Sequence, residues 1–137
     1  FGFMNYGVSG NYQSDFELVQ GGTSTDPLEY APDLYVSADI GWTGEHARAA
    51  LNFRYTDGYD ANPGIAINQN KVDDFLTTNL FLGYEFGGSG MAEGLSLRFN
   101  VDNLLDEDPP EYRSQQNLNY SGWTLGRVYK LGLTYAF

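Results

Sequence analysis

The chain has 137 residues, a formal net charge of −11 and no cysteine, with 17 glycines, 11 tyrosines and 9 phenylalanines. The lack of cysteine excludes disulfides and thiolate metal sites. The charge excludes a nucleic-acid-binding surface, because such a surface needs a basic patch and the chain has only 7 Lys and Arg residues.

Membrane insertion by a helix is not indicated. No segment approaches the ~18 consecutive apolar residues of a transmembrane helix, and the mean hydropathy is −0.40. A transmembrane strand, however, exposes only every second residue to lipid, so alternation of polarity is the pattern that matters. The sequence opens at Phe1 without a signal peptide, and we expect it to be the tail of a longer polypeptide.

Six stretches alternate with a period of two, which is typical of strands with two different faces. They are, in chain order, residues 2–13, 34–43, 47–56, 76–86, 95–102 and 128–137. The apolar residues occupy even positions in the first, second and fourth stretches and odd positions in the others. Within the fourth stretch, Phe81 on the polar side is the one clear violation.

The connections between these strands alternate in length. Residues 43–46 and 87–93 form tight turns, whereas residues 14–33, 57–74 and 104–125 form long polar loops. Short periplasmic turns and long extracellular loops are typical of an outer-membrane barrel. Strands of roughly ten to twelve residues also suit its ~25 Å apolar band and are long for a soluble sandwich, whose strands average ~5 to 6 residues.

The charged residues of the predicted strands all fall on the polar faces. They are Asp39, Arg48, Arg54, Glu85, Arg98, Asp102 and Lys130. In a barrel these side chains would face the lumen, since a charged residue on the lipid face costs ~2 to 4 kcal/mol for Arg or Lys near mid-membrane. A soluble β-sandwich would separate its charges in the same way, so the pattern leaves both folds open.

Two segments resemble the TonB-dependent receptor family. Leu97–Tyr112, LRFNVDNLLDEDPPEY, resembles the penultimate barrel strand and the motif after it, which is here Asn103, Leu104, Leu105 and Asp106. Gly126–Phe137, GRVYKLGLTYAF, resembles the final strand, with Gly126 and Arg127 at its start. The resemblance implies an all-β, antiparallel, up-and-down transmembrane β-barrel segment of about six strands, with the whole chain forming the C-terminal portion of the barrel domain.

The resemblance also implies a location, partners and a role. Members take up a scarce ligand, such as a siderophore, cobalamin or a carbohydrate, across the Gram-negative cell outer membrane. The partners would be membrane lipid, the other barrel strands and the plug, the TonB energy-coupling system and the barrel assembly machinery; neither a plug domain nor a TonB box is recognisable in these 137 residues. The expected assembly signal consists of alternate residues of the last strand: Tyr129, Leu131, Leu133, Tyr135 and Phe137.

The remaining candidate residues do not predict chemistry. His46 has no His or Cys companion for catalysis or metal binding, and the acidic residues from Asp102 to Glu111 lack the glycine and oxygen spacing of a calcium loop. We therefore expect no enzyme, no cofactor and no metal. The alternatives are a soluble β-sandwich that binds carbohydrate through Tyr and Trp, and a fragment of a small structural outer-membrane barrel.

Overall fold

The structure is a computed structural model. It describes residues 2–14, 18–25, 30–64, 66–88, 90, 92–113, 118–120 and 125–136. Six long strands form one sheet: β1 (Phe3–Tyr12), β4 (Leu34–Thr43), β5 (Ala47–Thr56), β8 (Phe75–Glu85), β9 (Leu95–Asp102) and β12 (Val128–Tyr135). Within the described ranges, no helix is long and apolar enough to cross a membrane.

The long strands meander. Their order in the sheet, β1-β4-β5-β8-β9-β12, follows the order in the chain, and every neighbouring pair is antiparallel. β1 and β12 each have one paired neighbour, so the sheet has two free edges in the part of the chain that is described. This is an up-and-down arrangement, as predicted.

The loops contain structure of their own. Each of the three long connections, which we call the first (13–33), second (57–74) and third (103–127) outer connections, carries a small hairpin. The hairpins are β2 (Leu18–Gln20) with β3 (Thr23–Thr25), β6 (Tyr59–Asp60) with β7 (Lys71–Val72), and β10 (Glu111–Arg113) with β11 (Leu118–Tyr120). The sequence did not indicate these hairpins, because strands of two or three residues are too short to show an alternation.

The predicted long strands are confirmed with small shifts at their ends. The bounds of β4, β5 and β9 agree with the prediction, whereas β8 begins and ends one residue earlier than predicted. β1 and β12 are slightly shorter than their alternating segments. Phe137, the last residue of the predicted final strand, lies outside the described residues.

The register gives the sheet one apolar face and one polar face. One row of neighbours on the apolar face runs across all six strands: Met4, Trp42, Ala49, Leu82, Phe99 and Leu131. The adjacent row on the polar face contains Asn5, Gly41, Ala50, Phe81, Asn100 and Lys130. The two faces thus separate residues as the alternation predicted.

The apolar face is uncovered. Met4 is 73% exposed and Leu131 is 69% exposed, and the apolar side chains that are buried among the described residues are Ala61, Val72 and Val101. A soluble β-sandwich would bury this face against a second sheet of similar size. The other sheets in the described residues are two-stranded ribbons of two or three residues per strand, so the arrangement does not fit the sandwich alternative.

Candidate functional site

The polar face concentrates positive charge. Four of the 7 Lys and Arg residues lie on it, but only three of the 18 Asp and Glu residues do. Arg48 pairs with Glu85 at 3.3 Å, and Lys130 pairs with Asp102 across β9 and β12. Each of these four side chains is more than a quarter exposed, so each pair contributes at most about 1 kcal/mol to stability.

The other charged residues of the polar face have no ion-pair partner among the described residues. They are Asp39, Arg54 and Arg98. Arg98 lies in register between Gly83 and Gly132, and Asp39 is paired in register with Gly7. The Asp39 carboxylate occupies the space over Gly7, where a Cβ atom would lie 2.7 Å from its Oδ1, whereas a Cβ atom on Gly132 would make ordinary contact with Arg98 at 3.8 Å. The predicted charges therefore share one face, and three of them lie outside the ion pairs formed in the part of the chain that the structure describes.

Phe81 breaks the alternation for a local reason. A Cβ atom placed on Gly83 would lie 3.1 Å from Cζ of Phe81, so the ring covers the backbone of the glycine two residues along the same strand. An aromatic ring over a strand glycine replaces the packing that the missing side chain cannot provide. Together with His46, Arg48 and Arg98, the two residues line a cavity of about 180 Å³.

The predicted family motif forms a tight turn at the end of β9. Asn103 is 1% exposed and has a φ of 53°, a left-handed conformation that asparagine tolerates better than most residues. Its side-chain amide donates to the carbonyl of Glu107 at 2.8 Å, and its side-chain oxygen accepts from the Glu107 N–H at 3.0 Å. Both polar atoms of this buried side chain are therefore satisfied within the turn.

The same turn holds the start of β12. The Oδ1 atom of Asp106 accepts a hydrogen bond from the backbone N–H of Arg127 at 2.8 Å, and the carboxylate lies 3.8 Å from the Arg127 guanidinium. Gly126 has a φ of 66°, and a Cβ atom there would lie 3.3 Å from Oδ1 of Asp106. The motif and the start of the final strand were identified separately in the sequence, and the structure brings them into direct contact.

Arg127 makes a further contact. Its guanidinium donates to the Tyr129 hydroxyl at 3.4 Å. This hydrogen bond, more than the nearby charge of Asp106, raises the pKa of Arg127 above its ordinary value. Arg127 therefore stays charged over the whole working pH range.

The described residues of the expected assembly signal share the apolar face. Tyr129, Leu131, Leu133 and Tyr135 alternate along β12 and are each more than half exposed. They face the same side as Leu95, Leu97, Phe99 and Val101 of β9. Phe137 belongs to the same expected signal and is outside the described residues.

An acidic cavity lies at the outer end of the sheet. Its volume is about 500 Å³. Its lining includes five aspartates and one lysine: Asp33, Asp57, Asp60, Asp73, Asp74 and Lys71. Within the described residues, no three His, Cys, Asp or Glu side chains are grouped so that they could hold a metal ion.

Sequence reasoning missed two polar side chains that join distant parts of the chain. Asn79 accepts a hydrogen bond from the Asn103 N–H at 3.0 Å, and Gln69 contacts β10. The sequence placed Asn79 on the polar face of the strand before β9, so a contact with the motif at the end of β9 could have been predicted. For Gln69 the sequence carries no signal, because its partner is more than forty residues away.

The comparisons with known proteins agree with this architecture. The family model described as TonB dependent receptor-like, beta-barrel matches residues 1–104, a segment that contains β1 to β9 and ends inside the Asn103–Asp106 turn. No curated protein and no solved structure matches the chain. The family consists of receptors and transporters rather than enzymes. Since its model covers well over half of the sequence, the chain belongs to the TonB-dependent receptor family, as part of the β-barrel.

Proposed function

We propose that the chain forms the C-terminal part of the barrel wall of an outer-membrane receptor that takes up a scarce ligand with energy supplied through TonB. The ligand would be a siderophore, cobalamin or a carbohydrate. The observation that carries the proposal is the family match to residues 1–104. The uncovered apolar face supports it, because lipid is a suitable solvent for such a face.

The free sheet edges support further strands as partners. An unpaired strand edge in hydrocarbon leaves N–H and C=O groups without hydrogen bonds, at a cost of several kcal/mol for each group. In the proposed barrel, β1 and β12 would pair with strands of the same receptor that lie outside residues 1–137. The polar face would then line the lumen, with the charges of Asp39, Arg54 and Arg98 directed toward the plug.

Within the proposed barrel, two sets of residues have roles in assembly. The assembly machinery would recognise the alternating residues Tyr129, Leu131, Leu133 and Tyr135, together with Phe137. The contact between Asp106 and Arg127 would hold the outer end of the same strand beside β9. The contact is thus proposed to set the register of the final strand.

The test is uptake in the native bacterium. The coding region upstream of Phe1 is expected to continue in frame through further strands and a plug, and deletion of residues 1–137 from that gene should remove the receptor from the outer membrane. Growth on limiting iron, cobalamin or complex carbohydrate then identifies the ligand, with a strain lacking TonB as the control. Uptake that persists in the absence of TonB would contradict the proposal.

A further inference from the structure

The second and third outer connections contact each other through three hydrogen bonds to main-chain groups of β10. In the second connection, the N–H of Ile67 donates to the carbonyl of Arg113 at 3.0 Å. The side-chain amide of Gln69 donates to the carbonyl of Glu111 at 2.6 Å, and its oxygen accepts from the N–H of Arg113 at 2.8 Å. Three main-chain groups of β10 in the third connection are thereby satisfied.

The Gln69 side chain acts here as an extra peptide unit. A carboxamide carries one donor side and one acceptor side, as a peptide group does, and it bonds to the edge of β10 as a neighbouring strand would. Asn68 has a φ of 54°, so the chain turns immediately before Gln69. A further hydrogen bond of 2.9 Å, from the Gln69 amide to the Lys71 carbonyl, holds the side chain in this orientation.

β10 needs this support. It pairs with β11 through three residue pairs, and a two-stranded hairpin alone is marginally stable at best in water. Residues 67–69 bond to the side of β10 that faces away from β11, as a third strand would. We call the three hydrogen bonds from residues 67–69 to β10 the Gln69 clamp.

We propose that the Gln69 clamp joins the second and third outer connections into one unit, which moves as a whole at the outer end of the barrel wall. A displacement of the second connection then carries β10 with it, or the three hydrogen bonds break. A cavity of about 290 Å³, lined by Asn68, Gln69, Asp73, Glu111 and Arg113, lies where the two connections meet. The proposal does not depend on the identity of the ligand or on transport.

The first experiment measures hydrogen exchange in the intact receptor. Gln69→Glu exchanges the donor amide for a carboxylate oxygen that faces the carbonyls of Glu111 and Lys71, so two hydrogen bonds are lost and repulsion is added. Asn70→Asp is the matched control, since it adds the same charge one residue away at an exposed side chain that makes none of the clamp bonds. Exchange of the β10 amides is expected to be about tenfold faster in Gln69→Glu, and unchanged in Asn70→Asp.

The second experiment measures whether the connections move together. The chain has no cysteine, so spin labels are attached to Gly64→Cys and Asp108→Cys, with any cysteine elsewhere in the receptor replaced. A single narrow distance distribution is expected, and Gln69→Ala should broaden it. A distribution that is already broad with Gln69 present would overturn the proposal. So would equal exchange at β10 in Gln69→Glu and in the unmodified receptor.

Discussion

At the scale of single residues, the turn after β9 depends on Asn103 for two separate reasons. Its backbone is left-handed, and its side chain makes two hydrogen bonds while almost fully buried. Glycine adopts a left-handed φ without strain but makes no side-chain hydrogen bond, whereas alanine lacks the bonds and adds strain of about 1 kcal/mol. The two requirements can therefore be separated by substitution.

We expect Asn103→Gly to lower the free energy of unfolding of the receptor by about 2 kcal/mol, because the N–H and carbonyl of Glu107 lose their partners. Asn103→Ala should lower it by about 1 kcal/mol more. Denaturant unfolding of the receptor in detergent micelles, followed by the mobility difference between folded and unfolded barrel, measures both. Equal values for glycine and alanine would mean that the φ of 53° is not a constraint.

Asp106 allows a different test, because its acceptor can be kept while its charge is removed. Asp106→Asn retains a side-chain oxygen for the Arg127 N–H and tolerates the φ of 60°. Asp106→Ala loses the side-chain oxygen and the tolerance of a left-handed φ. We therefore expect it to lower the free energy of unfolding by about 2 kcal/mol, and Asp106→Asn by less than 1 kcal/mol.

The control for Asp106 is Asp108→Ala. Asp108 is exposed, lies in the same connection and makes none of the hydrogen bonds to Arg127. The same denaturant titration compares the three variants. If Asp106→Ala and Asp108→Ala had the same small effect, the contact between the motif and the final strand would not stabilise the barrel.

At the scale of the elements, the alternation of polarity predicted the long strands and could not predict the hairpins. The residues of β4 keep the period of two from Leu34 to Thr43, and its bounds agree with the prediction. β6 and β7 contain two residues each, too few to establish a period. The Gln69 clamp could not be predicted either, because a single side chain that contacts another loop leaves no periodic pattern in the sequence.

For the charged residues of the polar face, the sequence predicted the face but not the ion pairs. The charged residues could be assigned to one face because the period of two fixes the direction of each side chain. Which of them pair, as Arg48 does with Glu85, depends on the register between strands. The alternation restricts the register to shifts of an even number of residues, and the choice among these depends on the turns and on pairing across the sheet.

The final strand provides a test of the two faces. Leu131 lies on the apolar face beside Phe99, whereas Thr134 lies on the polar face beside Ser96. We expect Leu131→Arg to lower the free energy of unfolding of the receptor by about 2 to 4 kcal/mol, because the guanidinium would enter lipid, and Thr134→Arg to lower it by less than 1 kcal/mol. Unfolding in lipid vesicles measures both, and equal losses would contradict the assignment of the lipid face.

At the scale of the whole molecule, charge and hydrophobicity are sorted by position. The outer connections carry most of the acidic residues, the polar face carries most of the basic ones, and the apolar face carries none of either. A water-soluble protein rarely exposes an apolar patch larger than a few hundred Å². The apolar face of this six-stranded sheet exposes large apolar side chains of β1, β4, β8 and β12, so we expect the sheet to need lipid or further protein for its stability.

The isolated chain therefore should not fold in water. Among the described residues, three apolar side chains are buried, and so small a core cannot offset the ordering of a sheet of this size, which costs about 1 to 2 kcal/mol per residue in backbone entropy. We expect residues 1–137, expressed alone, to associate in aqueous buffer and to unfold without a cooperative transition, whereas the intact receptor in detergent unfolds cooperatively. Size-exclusion chromatography and circular dichroism on heating measure these properties. A monomer in buffer without detergent, with a sharp thermal transition, would require the apolar face to be covered from within the chain, and the lipid-facing assignment would then be wrong.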